Sequence, residues 1–176
     1  MDYKIISFMS KNKYIEVSTL FNKNSFDYYY LFEDHEIFNR PSFHMKIREF
    51  SKKIGGKKLI FDLFNLEWIE RYKNKTKLEI PHSNECILEI LDNTFVNKTE
   101  SYGLLLFEYR FYDDTGKWMG YCNVGYDYGM VGCNKEVNNT FLSLIDPYEE
   151  LSLKEKLNDI NLNFVDKNGK PIFNIK

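Results

Sequence analysis

The chain has little of what marks secreted or membrane-spanning proteins. Its three cysteines, Cys86, Cys122 and Cys133, are an odd number without close spacing, which argues against a disulfide framework and favours a reducing compartment. Asp2 follows Met1 directly, so no basic and apolar secretory signal is visible. No run approaches the roughly 18 apolar residues of a membrane span. These absences predict a soluble, cytoplasmic protein that does not contact a membrane.

Motifs for metals, nucleotides and catalysis are missing too. Both glycine-rich nucleotide-binding patterns, G-x-x-x-x-G-K-[ST] and G-x-G-x-x-G, are absent. His35, His44 and His82 are not paired at helical spacing, and no C-x-x-C accompanies the cysteines. No glutamate has lysine two positions later, as a restriction-enzyme-type nuclease requires. We therefore expect no cofactor and no metal.

One nucleophilic arrangement stays open. His82 and Cys86 are separated by one helical turn, which brings their side chains together if Pro81 begins a helix. Cys86 lies on the apolar side of that predicted helix, which Ser83 would cap, and unpaired cysteines are among the most often buried residues. A plain buried thiol is the preferred interpretation, so we predict no catalytic residue and no enzyme.

Aromatic residues and unevenly placed charges are what the chain has in plenty. Phe, Tyr and Trp make up 17% of the 176 residues, which favours β-sheet and large contact surfaces, although it also fits an AT-rich coding sequence. The net charge is only -2. However, residues 40–77 carry 11 basic and 4 acidic side chains, whereas residues 78–176 carry 9 and 16. This asymmetry predicts two docking surfaces of opposite charge.

The clearest structural pattern is two long strands joined by a tight turn. Side chains alternate from Gly103 to Tyr112, Asp113-Asp114-Thr115-Gly116 forms a type I turn, and the return strand runs from Lys117 to Tyr126. The first strand places on its apolar, core-facing side Leu105, Phe107, Tyr109 and Phe111. The return strand places on one side Trp118, Cys122, Val124 and Tyr126. We predict that this hairpin is central to the sheet.

Further strands and helices surround the predicted hairpin. The period of Phe43, Ile47, Phe50 and Ile54 indicates a helix from Pro41 to Ile54, which Gly55-Gly56 would end. Strands are predicted over residues 2–9, 14–20, 26–32, 163–165 and 171–175, and further helices over residues 83–92 and from Ser152 to Ile160. Residues 59–72 fit either a strand that runs into a helix or one apolar helix, and of these we favour a strand over residues 58–64. The glycines at 125, 129 and 132 predict an irregular stretch with a bend or bulge. The prediction is one α+β domain over residues 1–176, with a mostly antiparallel sheet and two to four helices.

Acidic and aromatic residues of the second half form a predicted partner-binding face. Negative charge speeds encounter with a basic target, and buried aromatic anchors slow release. The competing interpretation is that the aromatic rings face the core and the acids only keep the surface polar. The candidate contact residues are Glu108, Tyr112, Asp113, Asp114, Trp118, Tyr121, Asp127, Tyr128, Asp146, Tyr148, Glu149 and Glu150.

In overall character the chain resembles the immunity proteins of bacterial toxin–immunity pairs, such as those of contact-dependent inhibition systems. The resemblance is carried by the hairpin around Asp113-Asp114-Thr115-Gly116 and by the segment DYGMVGC that follows. It implies that the chain binds a cognate toxin, often a nuclease with a basic active site, and occludes that site without catalysis.

A nucleic-acid-binding module is the second hypothesis. Its candidate residues are Lys46, Arg48, Lys52, Lys53, Lys57 and Lys58. Lysine and arginine would neutralise phosphates, and Trp68 and Tyr72 lie close enough in sequence to stack on bases. An overall pI near 6.0 and the fact that charge runs are usually solvated faces place this hypothesis behind protein binding.

Overall fold

The structure is a computed structural model, which describes residues 14–16, 21, 26–32, 41–63, 77–83, 109–123, 128–145, 163–165 and 168. These residues have an α+β fold in which helices pack on one face of an antiparallel sheet. The helices are α1 (Pro41–Lys53) and α2 (Lys135–Leu142). The strands are β1 (Tyr14–Glu16), β2 (Tyr28–Phe32), β3 (Lys58–Leu63), β4 (Lys77–Pro81), β5 (Tyr109–Asp113), β6 (Trp118–Asn123), β7 (Tyr128–Cys133) and β8 (Asn163–Val165).

The main sheet has the strand order β2-β7-β6-β5-β3-β4, and every neighbouring pair in it is antiparallel. β5 and β6 occupy its two middle positions and are joined by the turn that follows Asp113, in which Gly116 has φ +67°. The predicted turn therefore lies where the sequence indicated. The full length of the predicted hairpin stays a prediction, because residues 103–108 and 124–127 lie outside the described residues.

One face of the sheet and the inner sides of both helices enclose the core. Tyr109 and Phe111 face it from β5, and Trp118 and Cys122 face it from β6, which agrees with the alternation in the sequence. The helices contribute Phe43, Ile47, Phe50, Val137 and Phe141. The opposite face is also closed at the centre of the sheet, where Tyr121 and its cross-strand neighbour Met130 are both 0% exposed.

α1 ends as its sequence predicts. Gly55 has φ +92°, a conformation that glycine adopts without strain. Its N–H donates to the carbonyl of Lys52 at 3.1 Å, and the N–H of Gly56 donates to the carbonyl of Ser51 at 2.8 Å. These two bonds form a Schellman motif, which satisfies carbonyls of the last turn. The motif fixes the direction in which the chain leaves α1 and enters β3.

The structure of the segment that contains Gly129 and Gly132 differs from the sequence prediction. Tyr128–Cys133 is a regular strand, not an irregular stretch, and pairs with both β2 and β6. A Cβ atom on Gly132 would lie 2.5 Å from a ring carbon of Phe26 and 3.1 Å from one of Tyr29. Glycine at 132 therefore serves close aromatic packing against the strand and introduces no bend.

A second, two-stranded sheet pairs β1 with β8 in parallel, from Tyr14 opposite Asn163 to Glu16 opposite Val165. This parallel pair is an exception to the mostly antiparallel sheet that the sequence predicts. The strands predicted over residues 2–9 and 171–175 lie outside the described residues, as do the helices predicted over residues 83–92 and from Ser152.

Candidate functional site

Three polar side chains from distant parts of the sequence meet beneath the last turn of α1. Ser51 belongs to α1, His82 follows β4, and Asp113 ends β5. Ser51 Oγ lies 2.9 Å from His82 Nε2 and 2.7 Å from Asp113 Oδ2. Their exposed fractions are 0% for Ser51, 8% for His82 and 2% for Asp113. Polar groups this far from water need hydrogen-bond partners, and Ser51 Oγ provides one for His82 Nε2 and one for Asp113 Oδ2.

The order of these bonds differs from that of a hydrolase triad. In such a triad the histidine lies between the serine and the acid, and it accepts the serine proton. Here Ser51 lies in the middle and donates its single hydroxyl proton to Asp113 Oδ2. It must therefore accept in its hydrogen bond with His82 Nε2. The serine proton is directed to the acid, and Ser51 has no exposed surface at which a substrate could be attacked. The cluster fastens α1 to β4 and β5.

Asp113 binds more groups than the other two members of the cluster. Its Oδ2 also accepts from Trp118 Nε1 at 2.7 Å, and its Oδ1 accepts from Thr115 N at 2.8 Å. Gly56 passes so close that a Cβ atom there would lie 2.7 Å from Asp113 Oδ2. These neighbours cover the side chain, which corrects the placement of Asp113 on a partner-binding face.

Trp118 and Tyr121 are also buried, so they do not belong to the predicted partner-binding face. Both are 0% exposed, on opposite faces of β6. The ring of Trp118 packs edge-on against Phe50 and Phe111, with centroids 5.5 Å and 6.0 Å away. These two aromatic rings are therefore buried, as the competing interpretation of the sequence expected.

Asp114 and Tyr112 are the other members of that set whose side chains are described. Asp114 is exposed and accepts from the backbone N–H of Lys57 at 2.8 Å, a bond that lowers the pKa of Asp114. Tyr112 is half-buried on the sheet face opposite the helices, and its burial raises its pKa. Lys77 Nζ lies 5.9 Å from the centroid of its ring. Each of the two residues therefore has a lysine as its neighbour, Lys57 for Asp114 and Lys77 for Tyr112.

The remaining members of the predicted face lie outside the described residues: Glu108, Asp127, Asp146, Tyr148, Glu149, Glu150 and the side chain of Tyr128. Their role in partner binding stays a prediction. Cys86 lies outside as well, so its distance from His82 is not described. The described thiols Cys122 and Cys133 are buried, and burial raises the pKa of Cys133 to about 12, which makes it a poor nucleophile.

Several of the basic residues predicted from the sequence lie together on one side of α1, unlike the acidic and aromatic set. The solvent side of α1, called here the outer face, repeats every three or four residues and consists of Ser42, Met45, Lys46, Glu49, Lys52 and Lys53, all exposed. Glu49 pairs with Lys53 at 2.9 Å, which leaves positive charge in excess. Lys57 is exposed just beyond the end of the helix.

Two of the predicted basic residues have structural partners. Arg48 is partly buried, and its guanidinium donates to the backbone carbonyl of His82. Lys58 is half-buried and pairs with Glu79 across the β3–β4 ladder, and this bond raises the pKa of Lys58. We therefore assign the accessible positive charge to Lys46, Lys52, Lys53 and Lys57.

No protein-family model, no curated protein and no solved structure matches the chain. In the part of the chain that the structure describes, no three or more His, Cys, Asp and Glu side chains are grouped so as to hold a metal ion. Neither α1 nor α2, the helices with described bounds, has the length and apolar character that crossing a membrane requires.

Proposed function

We propose that the protein is a non-catalytic, protein-binding inhibitor of the immunity type, which neutralises a cognate bacterial toxin by covering its active site. The observation that supports this most is the composition of the outer face of α1. Met45 is 68% exposed, far more than the 39% of Leu142 or the 38% of Tyr28. It lies among lysines on a helix whose other side is held in the core.

This combination suits a protein partner. Methionine is enriched and lysine is depleted at the centres of protein interfaces, while charged residues occupy the rims. Met45 can enter an apolar pocket, and Lys46, Lys52 and Lys53 can surround that contact. Long-range attraction between the lysines and carboxylates of the partner would speed association, and burial of Met45 would slow dissociation.

The outer face changes the expected charge of the partner. A basic target was predicted from the acidic and aromatic set, yet Asp113, Trp118 and Tyr121 of that set are buried. On the outer face that carries Met45, the exposed charges are three lysines and one glutamate. We therefore propose that the surface of the toxin that meets α1 is acidic. Such a surface can border the active site of a metal-dependent nuclease, where carboxylates hold the metal ion.

The sealed arrangement of Ser51, His82 and Asp113 supports a binding role. Of the described polar clusters, this one has the residue types of a hydrolase, and its geometry uses them to hold α1 against the sheet. A helix fixed in this way presents its outer face in one orientation. Preorganisation of this kind reduces the entropy lost on binding.

The first test of the proposed function is neutralisation. The chain is co-expressed with the protein encoded by the adjacent gene, and cell survival is measured together with complex formation by size-exclusion chromatography. We expect a stable complex and restored growth. The triple variant K46E/K52E/K53E should lose both, because each substitution reverses a charge on the outer face. If the adjacent gene product neither binds nor harms the cell, the immunity proposal fails.

Nucleic-acid binding is a second candidate, which the same exposed lysines favour. A lysine stripe along one helix can follow a phosphate backbone, and such binding weakens steeply with salt. The test is a gel-shift titration with a labelled single-stranded RNA and a DNA duplex at two salt concentrations. A salt-sensitive shift that is lost when Lys52, Lys53, Lys57 and Lys58 become Glu would favour this candidate over protein binding.

A further inference from the structure

The contact between α1, β4 and the β5–β6 turn depends on a single protonation state of His82. The one proton of the Ser51 hydroxyl is donated to Asp113 Oδ2, so His82 must supply the proton between Nε2 and Ser51 Oγ. The ring therefore carries its hydrogen on Nε2 and a lone pair on Nδ1. Backbone bonds hold the same residue, since its N–H donates to the carbonyl of Lys57 at 3.1 Å.

A second proton on the ring would have no acceptor among the described residues. Nδ1 of His82 is buried, and no described group hydrogen-bonds to it. Two positively charged residues of α1, Lys52 and Arg48, lie near the ring and disfavour a second proton on it. Two acids at the end of β5, Asp113 and Asp114, favour that proton. Burial has the largest effect and lowers the pKa of His82, and the two cations lower this pKa further. The two acids raise the pKa, but by less than the other effects lower it.

We propose that His82 is an acid-sensitive latch: the neutral ring holds the last turn of α1 to β4 and β5, and uptake of a proton at mildly acidic pH releases it. A charged ring with an unpaired buried N–H is costly, whereas a ring that has moved into water is not. Acid therefore favours the open arrangement. On the basis of the proposed function, opening would also displace Lys52 and Lys53 and weaken toxin binding.

The sign of the pH dependence follows from the lowered pKa. Above the ordinary histidine pKa of about 6.5 the ring is neutral in both the closed and the open forms, so pH has no effect through His82. Below that value the open form binds a proton that the closed form resists. The ratio of open to closed molecules then rises by up to about tenfold per pH unit, until the pH falls through the pKa of the closed form.

Hydrogen exchange of the full chain tests the latch without any partner. Opening is measured by mass spectrometry at pH 7.5 and 5.5, corrected for intrinsic exchange, in peptides that contain Ser51 or His82. We expect opening to increase by roughly three- to tenfold at pH 5.5 in the wild type. In H82Q, where the amide still donates to Ser51 but does not titrate, the increase should vanish. The variant H44Q, which alters a buried histidine in α1, should keep the increase.

Two results would overturn the latch, and neither depends on the toxin. One is an equal pH response in the wild type and H82Q, or none in the wild type. The other comes from an NMR titration of the wild-type histidine rings, which applies even if H82Q does not fold. We expect the His82 ring to remain neutral at a pH where an unfolded histidine is protonated. A midpoint at or above about 6.5 would contradict the proposal. Failure of toxin binding alone would leave both readouts unchanged.

Discussion

Replacing Asp113 with alanine is expected to lower the free energy of unfolding by about 3–5 kcal/mol. The substitution deprives Ser51 Oγ, Trp118 Nε1 and Thr115 N of the acceptor that they share. Each buried donor left without an acceptor costs about 1–3 kcal/mol, which applies in full to Ser51 and Trp118 and less to the part-buried Thr115 N–H. Local relaxation recovers part of this cost. Since Ser51 also holds His82, we expect the damage to extend to the contact between α1 and β4.

The neighbouring residue provides a matched control. Asp114 has the same side chain but is exposed, and its hydrogen bond to the backbone of Lys57 can be replaced by water. D114A should therefore cost no more than about 1 kcal/mol. Urea unfolding followed by circular dichroism compares the two variants, and avoids tryptophan fluorescence, which D113A would perturb directly through Trp118. Equal losses in D113A and D114A would show that the buried cluster contributes little.

Replacing Gly120 with alanine is expected to cost about 3 kcal/mol through overpacking in the middle of the sheet. A Cβ atom at this position would lie 2.0 Å from Cζ of Phe111, its cross-strand partner. The Phe111 ring cannot move aside easily, because Phe43, Phe61 and Trp118 surround it with centroids 6.0–6.3 Å away. The same urea measurement gives the loss.

Two variants separate the steric effect from a general cost of removing glycine. Gly116 has φ +67° but open space where its Cβ would be, so G116A should cost only about 1 kcal/mol, from backbone strain. The double variant F111L/G120A should be less destabilised than the two single losses added together, since a smaller side chain at 111 relieves the clash. Strict additivity would contradict the proposed contact.

Local patterns were sufficient to predict α1, the turn after Asp113 and the strands β2 and β8, whereas the dense apolar run at β3 fitted either a strand or a helix. In each case neighbouring residues carry the signal. Phe43, Ile47 and Phe50 repeat at the helical period, and Gly55 supplies the positive φ that ends the helix. Pairing partners were harder to predict, because β8 pairs with β1 from the other end of the sequence.

The cluster at Ser51 was not predictable from spacing. Its hydrogen bonds join residues 31 and 62 positions apart, and Ser51 alone looks like an ordinary polar residue in a helix. The burial of Trp118 and Tyr121 was not predictable for a related reason. Alternation shows that Trp118 and Tyr121 lie on opposite faces of β6, but not that both faces are buried. Charge counts mark residues 40–77 as basic, and the helix geometry shows which of their lysines share the outer face with Met45.

The affinity of the chain for its cognate toxin, measured by isothermal titration calorimetry at 150 mM salt, tests the central claim most directly. K46E/K52E/K53E is compared with K77E/K117E/K135E, which changes the net charge equally at lysines away from the outer face. We predict that the first variant weakens Kd by about 100-fold or more and the second by less than about threefold. Equal effects, or a wild-type affinity retained in the first variant, would contradict a binding role for the outer face of α1.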